Sequence, residues 1–229
     1  LKKLHVTYEL LKEVATMLRK CNWHVTCIIW NRNKIIGIEP QDTAKRNFGF
    51  AVDIGTTKLA GYLLNLGTGE VVAATSLMNP QISFGEDVIT RISHASHGFN
   101  GLAELQQAVL SGINRMLMDL CEKVGVGRDE VYEVVAVGNT AMHHLFLNIC
   151  PTYLSLSPYV PVIKAPLNLK ARELGVNINP NGNIHVLPVI AGFEGADCVA
   201  GILATEVYKR DELCMFIDVG TNTEVVLGN

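Results

Sequence analysis

The sequence predicts an α/β chain, and three features carry that prediction. An apolar strand, Phe48-Gly49-Phe50-Ala51-Val52, runs into the turn Asp53-Ile54-Gly55-Thr56-Thr57-Lys58 and then into a second apolar strand, Leu59-Ala60-Gly61-Tyr62-Leu63-Leu64. About 165 residues later the same figure returns, from Met215-Phe216-Ile217-Asp218 through Val219-Gly220-Thr221-Asn222-Thr223 to Glu224-Val225-Val226-Leu227. Between the two, segments with helical apolar spacing surround Val131-Tyr132-Glu133-Val134-Val135-Ala136-Val137, a nearly continuous apolar run that suits a strand covered on both faces.

Packing alone does not call for an acid at the same step before a glycine in both copies of Asp-x-Gly-Thr. A pair of phosphate-binding hairpins does. Glycine lets backbone N–H groups approach an anion closely, and hydroxyls at Thr56, Thr57, Thr221 and Thr223 add donors, as does Asn222. An aspartate at the strand end holds a hydrated divalent cation or orients a water.

Composition narrows the class. The 229 residues suffice for one or two domains, and 48 % apolar against 18 % charged content is a globular profile. A net charge of −3, without a basic run, argues against a nucleic-acid surface. No apolar stretch approaches the ~20 residues of a spanning helix and no signal peptide is visible, so a cytoplasmic protein is expected. The six cysteines are scattered through apolar segments, as reduced thiols are. The local group Cys21, His24 and Cys27 lacks a fourth ligand and is read as structural. The chain starts at Leu1 without a methionine and stops as the second hairpin ends, which suggests an internal piece of a longer protein.

Residues 8–21 have helical spacing, and His24–Trp30 and Ile35–Ile38 around Asn31-Arg32-Asn33-Lys34 read as a hairpin. This unit, residues 1–46, is expected to be a small α/β linker domain, because it is too small for a confident core of its own. Residues 47–213 form a first lobe and 214–229 the start of a second. After the first hairpin, Gly67-Thr68-Gly69 is a turn into a third strand, Val71–Leu77, and three antiparallel strands opening on an acidic turn begin a ribonuclease-H-like lobe. Asn79, Gln81, Asp87 and Arg91 gather at a loop-to-helix junction, where they either line a cleft or cap the helix. His94 and His97 share a helix face without a third ligand and are read as facing solvent.

A long amphipathic helix over 101–124 stops at Gly125 and Gly127. The strand over 131–137 delivers Gly138-Asn139-Thr140 to a helix N-terminus, a place that favours anions and equally favours Asn and Thr as plain caps. His143 and His144 point to different faces. Residues 150–182, rich in proline and asparagine, are expected to be an insertion with little regular structure and a surface for a partner. A strand over 184–190 leads to a helix running to about Lys209, whose small residues allow close approach to another element. Glu194 and Asp197 at its start either serve the helix dipole or point into the cleft, and at least one is expected in the cleft.

With these segments in order, the chain resembles the actin-like ATPase (ASKHA) superfamily, and more narrowly the reductive activators of corrinoid proteins. The matching segments are FAVDIGTTKLAGYL, NPQISFGEDVITRI, VVAVGNTAMHHL, AGFEGADCVAGILA and FIDVGTNTEVVL, and the likeness spans essentially the whole chain. The resemblance implies a protein with a ferredoxin-like [2Fe–2S] domain, a linker and an ATPase-like domain. Such a protein uses ATP and Mg²⁺ to return an oxidised Co(II) corrinoid to Co(I), for a corrinoid protein of a methyltransferase system. It implies no nucleic-acid or membrane partner and leaves a homodimer open. The plant-type cluster spacing C-x4-C-x2-C is absent here, so an iron–sulfur domain is expected upstream of Leu1. The second lobe stops after its first hairpin, without an adenosine-binding segment, so this piece alone is expected to bind nucleotide poorly. Glu194 stands where the family pattern has an apolar residue, which leaves Asp197 as the acid carried over.

In this reading Asp53 and Asp218 face each other across the phosphates and hold Mg²⁺ through water. Gly55, Thr56, Thr57, Asn139, Gly220, Thr221, Asn222 and Thr223 bind nucleotide, Lys58 neutralises phosphate charge, and Asp197 orients the attacking water. Two rivals share the sequence: a small-molecule kinase of the same superfamily, and a non-catalytic nucleotide-sensing scaffold that uses the proline-rich insertion.

Overall fold

A computed structural model describes residues 4–97, 99–220 and 222–228. It begins with β1 (His5–Val6), α1 (Tyr8–Lys20), β2 (Val25–Trp30) and β3 (Lys34–Pro40). The Thr7 hydroxyl accepts the Leu10 N–H at the start of α1, and Arg19 and Lys20 lie in its last turn, where cations suit the helix dipole. β3 is the middle strand, parallel to β1 and antiparallel to β2.

The main sheet follows. β4 (Phe48–Ile54), β5 (Lys58–Asn65) and β6 (Val71–Met78) form an antiparallel meander. Then come α2 (Val88–His97), α3 (Gly101–Val124), β7 (Val131–Val137), α4 (Thr140–Phe146), β8 (Leu167–Lys170), α5 (Ala171–Leu174), β9 (Asn183–Val186) and α6 (Ala196–Thr205). The six strands lie in the order β6-β5-β4-β7-β9-β8, with β4, β7 and β9 mutually parallel. That is a ribonuclease-H-like sheet with one extra antiparallel edge strand.

Each helical layer answers a sequence period. Leu105, Val109, Ile113, Met116 and Leu117 of α3 are fully buried in the same core as Phe50, Leu59 and Leu63. Along β7, Val134 and Ala136 join this core, whereas Val135 and Val137 pack on the other side with Leu187, Val189 and α6. The strand is apolar throughout because both its faces are covered. Among the described residues no helix is long and apolar enough to cross a membrane.

The small sheet is tied to the large one by polar contacts centred on three glutamates. Trp30 Nε1 donates to Glu133 Oε2 at 3.2 Å, the Tyr132 hydroxyl donates to Glu39, and Arg46 Nη2 donates to Glu130 Oε2 at 2.6 Å.

Several segments differ from expectation; the strand expected over 184–190 is β9 and ends at Val186. The proline- and asparagine-rich stretch contributes β8, whose Leu169 sits opposite Ile184 in β9, so an apolar pair draws part of that stretch into the sheet edge. The helix expected to reach Lys209 ends at Thr205, where Glu206 turns left-handed (φ 53°) into a single 3-10 turn over Val207–Lys209. Last, β10 (Cys214–Val219) and β11 (Thr223–Gly228) pair with each other antiparallel. One face of this hairpin exposes the apolar residues Met215, Ile217, Val219, Val225 and Leu227, with Thr223 opposite Val219 at the turn.

Candidate functional site

The first acid turn sits at the end of β4, where Ile54 pairs with Leu59 and Asp53 with Ala60. Gly55 is held so close to the returning chain that a Cβ would lie 2.5 Å from the Lys58 carbonyl oxygen. No other residue type fits there without moving the turn. Asn79, just beyond β6, grips this turn from behind: its side chain donates to the Gly55 carbonyl at 2.8 Å and its N–H to the Thr57 carbonyl at 2.9 Å.

The parallel pairing of β4 with β7 brings the β7–α4 turn alongside. Asn139 caps α4 by accepting the Met142 N–H at 3.0 Å, and its Nδ2 donates to Thr56 Oγ1 at 2.9 Å. The two meanings of Gly-Asn-Thr in the sequence are therefore combined, since the capping residue also orients a turn hydroxyl. The start of α6 docks on the same turn, with the Ala196 N–H at 2.9 Å from the Gly138 carbonyl. A Cβ on Gly195 would collide with Asn139 Cα and lie 2.6 Å from the Gly138 oxygen. This close approach carries Asp197 to the site.

These elements surround a cavity of about 210 Å³. Asp53, Gly55, Thr56, Thr57 and Lys58 line it from the first turn, Asn139 and Asp197 from the helix starts, and Asp218, Gly220 and Asn222 from the β10–β11 hairpin. Of the other expected residues, Thr223 lines an adjoining groove together with Glu194, and Thr221 lies outside the described residues.

Glu224 completes the acidic wall and is absent from the sequence-based set. It sits directly opposite Asp218 in the β10–β11 register, so both side chains leave the same face of the hairpin. Extending the pairing from the turn outward would have found it.

Four carboxylates crowd one cavity with a single lysine among its walls, and none of the ion pairs among the described residues involves them. Burial, followed by the charges of Asp197 and Asp218, pushes the Asp53 carboxyl up to about 6. Asp53 nevertheless remains open to solvent, which screens part of that repulsion. Asp197 is raised by burial and by Asp218, against the Cys198 N–H that donates to its Oδ1 at 2.8 Å. Glu224 is raised by burial, then by Asp197 and Asp218. A cation would relieve this wall of negative charge, so the donor set fits one. Among the described residues no three His, Cys, Asp or Glu side chains close to direct metal-binding distance, and an ion held through its water shell needs no such closure.

The remaining candidates lie elsewhere. His94 Nε2 is 2.8 Å from Glu104 Oε2, and His97 Nδ1 is 2.9 Å from the Ser93 carbonyl oxygen. His143 and His144 are both buried, with His144 bridging the Thr140 carbonyl and the Val162 N–H. Cys21 caps α1 and Cys27 is exposed on β2.

A sheet in this order, with two acid turns meeting at one cavity, is the lobe of an actin-like ATPase fold. The chain belongs to the RACo family: models described as the RACo linker region and the RACo middle region match residues 1–45 and 48–210. A curated relative, the "Corrinoid activation enzyme RamQ" of Eubacterium limosum, is 33 % identical over 223 residues, covering 97 % of this chain and 37 % of that protein. A solved structure titled "Reductive activator for corrinoid,iron-sulfur protein" superposes with a TM-score of 0.93 at 38 % identity, over 100 % of this chain and 37 % of that one. The chain thus spans little more than a third of the length of these relatives.

Proposed function

We propose that this chain is the linker (residues 1–46), the first ATPase lobe (47–213) and the start of the second lobe (214–229) of an ATP-dependent reductive activator. In this reading the full-length protein acts in the cytoplasm and returns a corrinoid protein of a methyltransferase system from Co(II) to Co(I) by one electron. The convergence of Asp53, Asp197 and Asp218 on one cavity, in a chain of the RACo family, is the observation that carries it.

Reduction to Co(I) is uphill, so nucleotide binding or hydrolysis has to be coupled to forming or releasing the partner complex. Asp53 and Asp218 would hold a hydrated Mg²⁺, which when bound neutralises phosphate charge. Hydroxyls and backbone N–H groups of Thr56, Thr57, Gly220, Thr221, Asn222 and Thr223 would bind the phosphates, with Gly55 allowing their approach and Asn139 orienting Thr56. Lys58 adds a cation at the cavity wall. Asp197, kept a better proton acceptor than an ordinary carboxylate by its burial, orients a water for in-line attack and takes its proton on a carboxylate oxygen. Cysteines of this chain do not fit an iron–sulfur cluster, because no cluster of ligands closes among the described residues, and the electron enters from outside them.

The test uses the full-length protein with a Co(II) corrinoid protein, a chemical reductant and ATP–Mg²⁺, following Co(I) by its absorbance. ATP-dependent appearance of Co(I), lost in Asp53→Ala, is the expected result. No Co(I), with ADP formed only when a small acceptor is supplied, would replace the proposal with a kinase.

A further inference from the structure

Behind the first acid turn lies a chain of buried polar side chains that the nucleotide chemistry above does not use. Asn79, Gln81 and Arg91 are each at most 1 % exposed. Both Asn79 Nδ2 hydrogens are engaged, one on the Gly55 carbonyl at 2.8 Å and one on Gln81 Oε1 at 3.2 Å, while Asn79 Oδ1 accepts the Gln81 N–H at 3.0 Å. Gln81 Nε2 anchors to the Leu105 carbonyl at 2.9 Å, so its Oε1 is held facing Asn79. On that same oxygen Arg91 Nη1 donates at 3.3 Å, and Arg91 Nε donates to the Gly85 carbonyl, 2.9 Å away.

Arg91 has no carboxylate in contact among the described ion pairs, and its Nη2 has no hydrogen-bond partner among the described residues. Burial draws its pKa down only to about 10, so the guanidinium keeps its charge at neutral pH. A buried, incompletely partnered cation is costly for folding, and a plain apolar residue would pack the same space at less cost. Its position makes sense as a brace for Gln81. Arg91 Nη1 and Asn79 Nδ2 share Gln81 Oε1 as acceptor, so the guanidinium fixes the oxygen that in turn fixes the Asn79 amide against the turn.

The peptide plane supplies the consequence. With the Gly55 carbonyl drawn back onto Asn79, the Thr56 N–H of the same trans peptide must point the opposite way, out of the buried network. We propose that Asn79 is a positioning residue for nucleotide phosphate: braced by Gln81 and Arg91, it presets the Gly55–Thr56 peptide so that the N–H faces the anion before the anion arrives. The inference rests on the nucleotide-binding reading of the cavity and adds to it a residue that never touches the ligand.

The experiment measures ATP–Mg²⁺ affinity calorimetrically in the full-length protein, alongside the thermal midpoint without ligand. Asn79→Leu keeps the approximate shape and removes the side-chain donor that holds the Gly55 oxygen without adding a charge. Affinity is expected to fall at least tenfold. Ile113→Val, in the core of α3, is the control for lost stability alone, and it is expected to lower the midpoint while keeping wild-type affinity. If Asn79→Leu does not fold, Asn79→Ala, which likewise has no side-chain donor, carries the same comparison. Wild-type affinity in a folded Asn79 variant overturns the proposal, as does an equal loss of affinity in Ile113→Val. A wild-type protein that does not bind ATP–Mg²⁺ would remove the functional reading as well, which separates the two failures.

Discussion

Asn139 Nδ2 donates to Thr56 Oγ1 across 2.9 Å, joining two turns that lie 83 residues apart in the chain. The same side chain caps α4 through its Oδ1, so one residue both starts a helix and sets a hydroxyl of the acid turn. Asn139→Ala should therefore do two things. Loss of the cap costs about 1 kcal/mol of stability, read as a lower urea midpoint at unchanged slope. Loss of the Thr56 contact should weaken ATP–Mg²⁺ binding in the full-length protein, whereas Asn139→Asp, which still caps, should spare the midpoint and lose only affinity.

The aspartates of the cavity should be separable from the fold. Asp53→Ala and Asp218→Ala are each expected to lower the ATPase rate of the full-length protein by about a hundredfold or more, the scale of a lost electrostatic contribution. Wild-type turnover in both would remove them from the mechanism.

Asp53 also predicts a pH dependence whose sign is opposite to that of an ion-paired carboxylate. Its native pKa, near 6, lies above the 3.8 of an unperturbed aspartate, so between these values the folded state binds more protons than the unfolded one. The protein without nucleotide should lose stability from this group as pH rises from about 4 to about 6, and the charged form should then remain a steady cost. Asp53→Asn should accordingly raise the thermal midpoint above pH 6 and leave it nearly unchanged below pH 4. Solvent access to Asp53 keeps the shift modest. Mg²⁺–nucleotide binding should show the reverse trend, weakening as pH falls through 6, because the proton competes with the cation.

Gly195→Ala tests the close approach that delivers Asp197. The new methyl would strike Asn139 and the Gly138 carbonyl, which are backbone atoms unable to turn aside. Overpacking of this kind costs about 1–3 kcal/mol and should part α6 from the β7–α4 turn. The expected result is a lower denaturation midpoint together with an ATPase loss approaching that of Asp197→Ala. A loss of stability with full activity would show that α6 reaches the site without this contact.

Local chemistry made much of this molecule readable in advance. The paired Asp-x-Gly-Thr turns, the meander after the first of them, α3 and the doubly covered β7 all follow from periodicity and turn residues, because those signals act within a few residues of chain. What only the tertiary structure decided depends on residues far apart in sequence. Asn79, Gln81 and Arg91 looked equally suited to a cleft or a helix cap, and it was the docking of α3 and β4 around them that left them buried in one network behind Gly55. Glu224 joined the acidic wall because the hairpin register set it opposite Asp218. Leu167–Lys170 became an edge strand because β9 offered an unpaired side. The carboxyl of Asp53 moved upward because burial and two other acids met there, a property of proximity that no single stretch of sequence contains.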